Sequence, residues 1–505
     1  MNILFTICTF ISISLFTIFL TFFVLILRIY TNKSINNPKF PPVKGTVLNL
    51  LFHYNEINDY LTKVAKTHST FRLLAPAQSI ICTNDPKNIE HVLKNNFNIY
   101  PKGENNKDIM SDLFGDGIFG ADGEKWRQQR KLASFEFSRR VLRDYSSSVF
   151  RRNAAKLVRA ILGFSITGQV FDMQNLLMRC TLDSIFEVGF GVELNCLDGS
   201  SEEAMAVMKA FDASSASVFY RFVDPLWKLK RFLNIGSEAS FKKHIKVVDD
   251  FVHQTITKKR ELLALPRDGE DILSRFLMEN KKDPEKMNEK YLRDIILNFM
   301  LAGKDSGAGT LSWFFYMLCK NPLVQEKLDQ EVRDVVGENG ADIDDFIENI
   351  SESNLEQMHY LHAALTETLR LYPAVPVSGR CAKTDDILPD GFRIKRNDEV
   401  YYMAYAMGRL PRLWGHDAED FRPERWLNNG VFRPESPFKF VAFHSGPRMC
   451  LGKEFAYRQM KIFSIALLRF FRFKLADQTK NVTYKTMFTL QIDGELCLCA
   501  VPRKG

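Results

Sequence analysis

Residues 443–452 read FHSGPRMCLG and run directly into a helical pattern. Cys450, just ahead of a helix N-terminus, lies in a field that favours its thiolate and makes it a candidate metal ligand. Gly446 and Gly452 would let the backbone pass close to a flat ligand, and Arg448 could offer its guanidinium fork to a carboxylate. Together these features suit an iron porphyrin with propionates. For a single cysteine, the alternative interpretation is a buried thiol with no chemical role. That interpretation leaves the rest of the pattern unexplained.

The N-terminal stretch predicts a membrane anchor. Residues 3–27 carry no charge, and as a helix they would measure about 37 Å, enough to cross a hydrocarbon core of about 30 Å. The run is too long for the apolar part of a signal peptide, and no Lys or Arg precedes it, so we expect residues 1–28 to be a retained anchor. The basic residues that follow predict a body in the cytosol. Residues 29–45 are proline-containing and predict a stiff hinge, which leaves residues 46–505 as the catalytic domain.

Composition narrows the class of protein. Among the 505 residues, 46% are hydrophobic and 25% are charged, which is an ordinary globular balance. The nine cysteines show no metal-binding spacing, so a disulfide framework or a zinc site is not expected. Residues 125–159 contain 11 Lys or Arg against two acids. This segment predicts either a solvated helix face or a docking surface for an acidic partner; it carries no nucleic-acid recognition motif.

The pattern along the body is mainly α with minor β. Helical periodicity dominates residues 124–372, and strand-like stretches appear at residues 70–83 and near the C-terminus. There, Asp493-Gly494 stands between two apolar alternating runs and predicts a two-residue hairpin.

Residues 443–452 fit the pattern F-x-x-G-x-R-x-C-x-G, and the chain is identified on it as a member of the cytochromes P450, the haem-thiolate monooxygenases. Residues 418–427 and 452–461 resemble the plant fatty-acid ω-hydroxylase clan of that family. The resemblance implies the cytochrome P450 fold, with haem b between a long central helix and the cysteine loop. It also implies that Cys450 is the iron ligand.

Further segments resemble family motifs in type and order. The resemblance implies that Glu367, Arg370 and Arg425 form a structural triad beneath the haem pocket. It implies that Trp126 and Arg130, which share one helix face, contact the haem propionates together with Arg380 and Arg448. Taken alone, Trp126 would more often be core, Arg130 surface, and the Glu367–Arg370 pair a weak surface ion pair.

A long helix is predicted from about Asn288 to Lys320, stopped by Asn321-Pro322. Its centre, residues 301–310, reads LAGKDSGAGT, and three glycines there predict a close backbone approach, either to a ligand or to another helix. The segment resembles the oxygen-binding groove A-G-x-D/E-T-T, which implies that Asp305 delivers protons from solvent and that Ser306 hydrogen-bonds dioxygen. Serine and glycine replace the two threonines of that pattern, so we expect monooxygenation to survive with looser coupling.

The resemblance implies an NADPH-dependent flavoprotein reductase as electron donor, a lipophilic substrate such as a long-chain fatty acid, and a single-pass place in the endoplasmic reticulum membrane facing the cytosol. Walls of the substrate pocket are expected in residues 100–123, 374–377 and 487–489. Three alternatives stay open: a fatty-acid hydroperoxide isomerase or lyase of the same fold, a haem-binding membrane protein with impaired catalysis, and a haem-free scaffold. Asp305 with Ser306 argues against the first, and Cys450 argues against the last.

Overall fold

The computed structural model describes residues 2–31, 33–76, 78–137, 140–199, 201–263, 271–285, 287–337 and 342–503. Helix dominates, as predicted, over a minor share of strand. The helices are α1 (Asn2–Tyr30), α2 (Val47–Phe52), α3 (Ile57–Thr67), α4 (Pro86–Glu90), α5 (Glu104–Phe114), α6 (Gly123–Phe137), α7 (Arg140–Thr167), α8 (Met173–Phe190), α9 (Glu202–Tyr220), α10 (Trp227–Leu233), α11 (Gly236–Leu263), α12 (Ile272–Lys282), α13 (Glu289–Met300), α14 (Ser306–Lys320), α15 (Pro322–Val336), α16 (Ile343–Glu348), α17 (Glu352–Gln357), α18 (His359–Leu371), α19 (Ala404–Met407), α20 (Pro411–Trp414) and α21 (Lys453–Phe470).

The strands are short. They are β1 (Val43–Thr46), β2 (Thr70–Leu74), β3 (Ser79–Thr83), β4 (Phe171–Asp172), β5 (Ser378–Cys381), β6 (Asp386–Ile387), β7 (Arg393–Ile394), β8 (Glu399–Tyr402), β9 (Leu427–Asn428), β10 (Val431–Phe432), β11 (Phe471–Leu475), β12 (Tyr484–Lys485), β13 (Gln491–Ile492) and β14 (Cys497–Pro502). The largest sheet has the order β1-β2-β3-β8-β5, with β1 parallel to β2, β3 parallel to β8, and the other neighbours antiparallel.

The predicted C-terminal hairpin across Asp493-Gly494 is wrong. Strand β13 pairs with β12, whereas β14 pairs with β11 over five residues and with β4. The side chain of Gln174 binds the backbone of Ile492 on both its N–H and its carbonyl, and it also donates to the carbonyl of Gly494. These contacts use the polar backbone groups that a hairpin would need, so the two runs separate after the turn.

The N-terminal helix α1 is long and apolar enough to cross a membrane, over Phe5–Tyr30. It is compatible with a single-pass anchor. The proline-containing stretch that follows lies against the largest sheet, because Arg72 of β2 donates to the carbonyls of Lys33 and Ser34 at 2.8 Å each. The same guanidinium lies over the ring of Phe40 at 5.4 Å. The division into anchor 1–28, hinge 29–45 and domain 46–505 stays a prediction.

The predicted long central helix is present, with one interruption. Asn288 caps its start by accepting a hydrogen bond from the backbone of Tyr291 at 3.0 Å, and Pro322 opens the next helix. Between α13 and α14 the chain forms a π-helical turn, Leu301–Asp305. Such turns widen a helix locally and are frequent at functional sites. The indole of Trp313 anchors the C-terminal half by donating to the carbonyl of Leu490 at 3.0 Å.

A fully buried carboxylate, Glu367 of α18, organises the region that leads to the cysteine loop. Arg370 donates to both of its oxygens at 2.7 and 2.8 Å, and the indole of Trp426 donates at 2.8 Å. Arg425 lies at 3.4 Å, and the backbone N–H of Arg422 donates at 2.9 Å. Arg370 also binds the carbonyls of Gly408, Ala418 and Asp420. The three residues predicted as a triad are thus in contact with one another.

The cysteine loop is held close to the turn formed by His91–Asn95. Gly446 has a φ of +67°, and a Cβ at this position would overlap the carbonyl oxygen of Leu93. The sequence argument that this glycine makes room for a flat ligand is therefore wrong: the group that it accommodates is protein backbone.

We expect Glu367→Gln to lower the free energy of unfolding by about 3–5 kcal/mol, because it leaves buried Arg370 without its counter-charge. The matched control is Glu419→Gln, which removes the same charge from an exposed pair with Lys66 at 2.6 Å and should cost about 0–1 kcal/mol. Urea unfolding of the detergent-solubilised protein measures both. Equal losses in the two variants would contradict the organising role of Glu367.

We expect Gly446→Ala to destabilise the cysteine loop more than Gly430→Ala does. Both glycines have a left-handed backbone, with φ of +67° and +77°, so each alanine should cost about 1–2 kcal/mol. Only position 446 adds an overlap, worth about 1–3 kcal/mol, because nothing lies within 4 Å of a Cβ at position 430. Thermal unfolding would compare the two; a smaller loss for Gly446→Ala would rule out the contact with Leu93.

Candidate functional site

The cysteine loop presents Cys450 to an internal cavity of about 240 Å³. A 3₁₀ turn, Gly446–Arg448, precedes it and α21 begins at Lys453. The backbone N–H of Cys450 donates to the carbonyl of Phe443 at 2.8 Å, which closes the loop. Both Phe443 and Cys450 line the cavity.

The thiol of Cys450 is not activated by the helix field alone. Burial raises the pKa of this thiol, although the backbone N–H of Gly452 and the charge of Arg130 act to lower it. The backbone N–H of Gly452 acts in the direction predicted for the helix N-terminus, but desolvation outweighs it. A bound metal ion would hold such a sulfur deprotonated regardless.

Three of the four predicted propionate contacts gather on one side of Cys450. The guanidinium of Arg448 lies over the ring of Trp126 at 4.4 Å, and that of Arg130 lies at 5.9 Å from the same ring. Arg448 donates to the carbonyl of Ala121 at 2.8 Å, whereas Arg130 donates to the carbonyl of Met449 at 2.6 Å. Since helix α6 carries both Trp126 and Arg130, it fixes the position of the cysteine loop.

The fourth predicted contact, Arg380 of β5, lines the same cavity, and a lysine lines it as well. Lys102 precedes α5, and burial together with the charges of Arg380 and Arg448 holds the pKa of Lys102 well below its usual range. The pKa of Arg448 falls to about 9, because of burial and then the charge of Arg380. Asp122 is the acid that faces this cluster, at 2.6 Å from Arg448.

The polar atoms of this cluster fit a ligand with carboxylates. Among the described residues, the Nε atoms of Arg380 and Arg448 are buried and have no hydrogen-bond partner. Buried donors and uncompensated cations are costly, and anionic oxygens would satisfy both needs. A haem has such oxygens on its propionates, and it would bring iron to a sulfur ligand. The donor set present therefore fits that cofactor.

Sequence reasoning missed Lys102. It is a single lysine between Pro101 and Gly103, and no motif or spacing distinguishes it from a surface residue. His444 also lines the cavity, and its ring hydrogen-bonds the hydroxyl of Tyr402 at 2.8 Å. Burial, with Lys102 and Arg380 nearby, lowers the pKa of His444 to about 3, so this ring is neutral.

The opposite wall of the cavity is the central helix. Ala302, Gly303 and Ser306 line it, and Ser306 donates its hydroxyl to the carbonyl of Ala302 at 2.5 Å. A Cβ at position 303 would overlap the side chain of Ile185 of α8. Of the two readings of the glycine-rich stretch, close packing against another helix therefore explains Gly303.

Asp305 does not line this cavity, although its neighbour Ser306 does. Its side chain is fully buried and forms an ion pair with Lys304 at 2.5 Å. Burial raises the pKa of Asp305 to about 7, against the opposing charge of Lys304. The structure thus separates the two predicted catalytic residues. Ser306 lines the cavity, whereas the carboxyl of Asp305 is buried outside it.

A second cavity of about 450 Å³ continues from the first and shares Phe119, Leu301 and Val375 with it. Its lining is largely apolar. The expected walls contribute Ile109, Met110, Phe114, Phe119, Val375, Val377, Phe488 and Thr489. Sequence reasoning did not identify α9 and the turn after it, which add Phe219, Phe222 and Val223.

The basic segment 125–159 is less positive than its composition indicates. Acids outside the segment pair with its cations: Asp116 with Lys125 at 2.9 Å, Asp198 with Lys156 at 3.6 Å, Glu187 with Arg152, and Asp344 with Arg159. Arg139 lies outside the described residues. The cations nearest the cysteine loop are those of α6, since Arg130 binds the carbonyl of Met449.

Comparison with known proteins agrees with this site. A family model described as Cytochrome P450 matches residues 38–498. Cytochrome P450 704C1 of Pinus taeda is 49% identical over 469 residues, covering 90% of each chain. Cytochrome P450 704B1 of Arabidopsis thaliana is 44% identical over 494 residues, covering 91% of this chain and 93% of its own length. Cytochrome P450 86B1 of Arabidopsis thaliana is 39% identical over 456 residues, covering 87% of this chain and 81% of its own.

These relatives are plant proteins, in agreement with the resemblance read from residues 418–427 and 452–461. The match extends over the helices and strands on both sides of the two cavities, which accounts for the predicted fold. The chain therefore belongs to the cytochrome P450 family, a membership that makes it a monooxygenase and implies a haem cofactor.

Proposed function

We propose that the protein hydroxylates a long-chain fatty acid at its terminal carbon, taking electrons from NADPH through a flavoprotein reductase. The observation that carries this proposal is the apolar cavity of about 450 Å³, which opens into the cavity that Cys450 lines. An extended alkyl chain is a good match for an apolar space of this kind. One oxygen atom of dioxygen enters a C–H bond, and the other leaves as water with two electrons and two protons.

Different residues of the chain would have different roles in this reaction. Cys450 would hold haem iron, Arg130, Arg380 and Arg448 would hold the propionates with Trp126 beneath them, and the haem would supply the oxidising chemistry. Ser306 would orient dioxygen, because it lines the cavity directly after the widened turn of the central helix. Asp305 would supply protons. Phe114 and Phe488, whose ring centroids are 5.3 Å apart, would confine the alkyl chain.

Helix α1 would anchor the protein in the endoplasmic reticulum membrane with the body in the cytosol. The flank of Arg28, Lys33, Lys39 and Lys44 supports this orientation. A lipid-soluble substrate would then reach the cavity from the bilayer.

The reductase would dock beside the cysteine loop. Arg127 and Lys131 of α6 are exposed there, and the Met449 side chain is 43% exposed between these cations and Cys450. Exposed cations around an apolar spot suit an acidic partner that has to approach the haem edge.

The function is tested by expression in microsomes with a reductase and NADPH. We expect a carbon monoxide difference spectrum typical of haem-thiolate proteins and hydroxylation of long-chain fatty acids. Cys450→Ala should lose both, because the iron loses its sulfur ligand, whereas Cys497→Ala, at a half-buried cysteine on β14, should keep both.

Turnover of a fatty-acid hydroperoxide without reductase would instead identify an isomerase or lyase. A spectrum without any substrate-dependent NADPH use would identify a haem-binding protein that has lost catalysis.

We expect Ser306→Ala to lower the product formed per NADPH several-fold and to raise peroxide release, because the cavity loses the hydroxyl beside the widened turn. Ser306→Thr should keep or improve the ratio, since the added methyl restricts the rotamer. Ser312→Ala is the matched control: it removes a hydroxyl that bonds the carbonyl four residues back at 2.7 Å in the same helix, away from the cavity. An unchanged ratio in Ser306→Ala would exclude its role in oxygen handling.

A further inference from the structure

The π-helical turn of the central helix carries a buried lysine between two carboxylates. The ammonium of Lys304 lies 2.7 Å from Asp212 of α9 and 2.5 Å from Asp305. Lys304 and Asp305 are fully buried, whereas the side chain of Asp212 is 24% exposed. The backbone around the lysine is also held, because Thr181 of α8 donates its hydroxyl to the Lys304 carbonyl at 3.0 Å.

A lysine with no exposure is costly unless its charge is balanced. Burial acts to lower the pKa of Lys304, but the charges of Asp212 and Asp305 outweigh it, and the pKa lies above its ordinary value. The ammonium therefore keeps its charge throughout the physiological pH range. One lysine can balance the charge of only one of the two acids. The cluster therefore holds one cation and two groups that can ionise.

Of the two acids, Asp305 is the one placed to exchange a proton near neutral pH. Burial raises the pKa of Asp305 to about 7, Lys304 opposes this, and the like charge of Asp212 adds to it. Lys485 of β12 is a further cation that acts to lower this pKa. Lys304, Asp212 and Lys485 are therefore the leading charged groups that act on Asp305.

We propose that Lys304 is the positioning residue for Asp305: it ties that carboxyl to Asp212 of α9 and so sets where and when Asp305 can release a proton towards the cavity that Ser306 lines. Asp212 is the solvent-exposed end of the cluster. The proton balance is simple: Asp305 releases one proton towards the oxygen that leaves as water, and it is recharged from solvent while Lys304 keeps its own protons. This inference rests on the proposed proton-delivering role of Asp305.

Two substitutions should move the same titration in opposite directions. Lys304→Met removes the opposing cation, so the midpoint at which Asp305 gains its proton should rise by about 1–3 pH units. Asp212→Asn removes a like charge, so the midpoint should fall. Lys304→Arg should keep the midpoint near that of the unaltered protein. The measurement is the infrared carboxyl band of the full-length resting protein that is absent in Asp305→Asn, followed against pH.

Turnover gives a second measurement. In Lys304→Met the product formed per NADPH should fall, its pH optimum should move upwards, and the solvent deuterium isotope effect on product formation should increase. The matched control is Lys259→Met, which breaks an ion pair of similar burial with Asp271 at 2.6 Å, remote from the cavity. That variant should lose stability and leave the carboxyl titration and the isotope effect unchanged.

The outcomes separate this inference from the proposed function. If Asp305→Asn leaves coupling and the isotope effect unchanged, the proposed role of Asp305 fails and the inference fails with it. If Asp305→Asn changes them but neither Lys304→Met nor Asp212→Asn shifts the titration, only the positioning role of Lys304 is overturned. Shifts of the same sign in Lys304→Met and Asp212→Asn would also overturn it. Such shifts would indicate a general loosening of the fold and not the removal of two opposite charges.

Discussion

The rest of the structure depends on a buried carboxylate that cannot be left uncompensated. Glu367 has no exposure, and its two oxygens accept hydrogen bonds from Arg370, Trp426 and the backbone of Arg422. Arg370 in turn binds three carbonyls of the segment between α19 and the Pro423–Trp426 turn. These side-chain contacts thereby fix the irregular chain that runs towards the cysteine loop.

The cysteine loop is the second place where charge decides the structure. Burial lowers the pKa values of Lys102, Arg380 and Arg448, and the charge of Arg380 adds to this effect at Lys102 and Arg448, while Asp122 is an acid that faces them. Protein interiors tolerate such clusters when an anion completes them. These cations would repel one another less once the propionates of a haem lie between them. Cofactor binding and the stability of this region are therefore coupled through charge.

How far the sequence predicts this molecule depends on whether a feature is local. The central helix follows from the Asn288 cap, the apolar period and Pro322, which are all local signals, and it is present. Cys450, Trp126, Arg130, Arg380 and Arg448 could be picked out because each stands in a recognisable motif. The pairing of β13 with β12 and of β14 with β11 could not, because distant chain segments decide it. Lys102 and Asp212 carry no motif, and only the tertiary packing of α9 and of the stretch before α5 brings them to the site.

Helix α9 connects the substrate cavity to the buried acid. Phe219 near its C-terminal end lies 5.3 Å from Phe488, centroid to centroid, in the apolar cavity, while Asp212, about two turns earlier, holds Lys304. Because one α-helix carries both residues, a wall of the cavity and the ion pair of Lys304 belong to the same element. Asp305 does not line the cavity itself, but its ion-pair partner Lys304 is paired in turn with Asp212 on a helix that does.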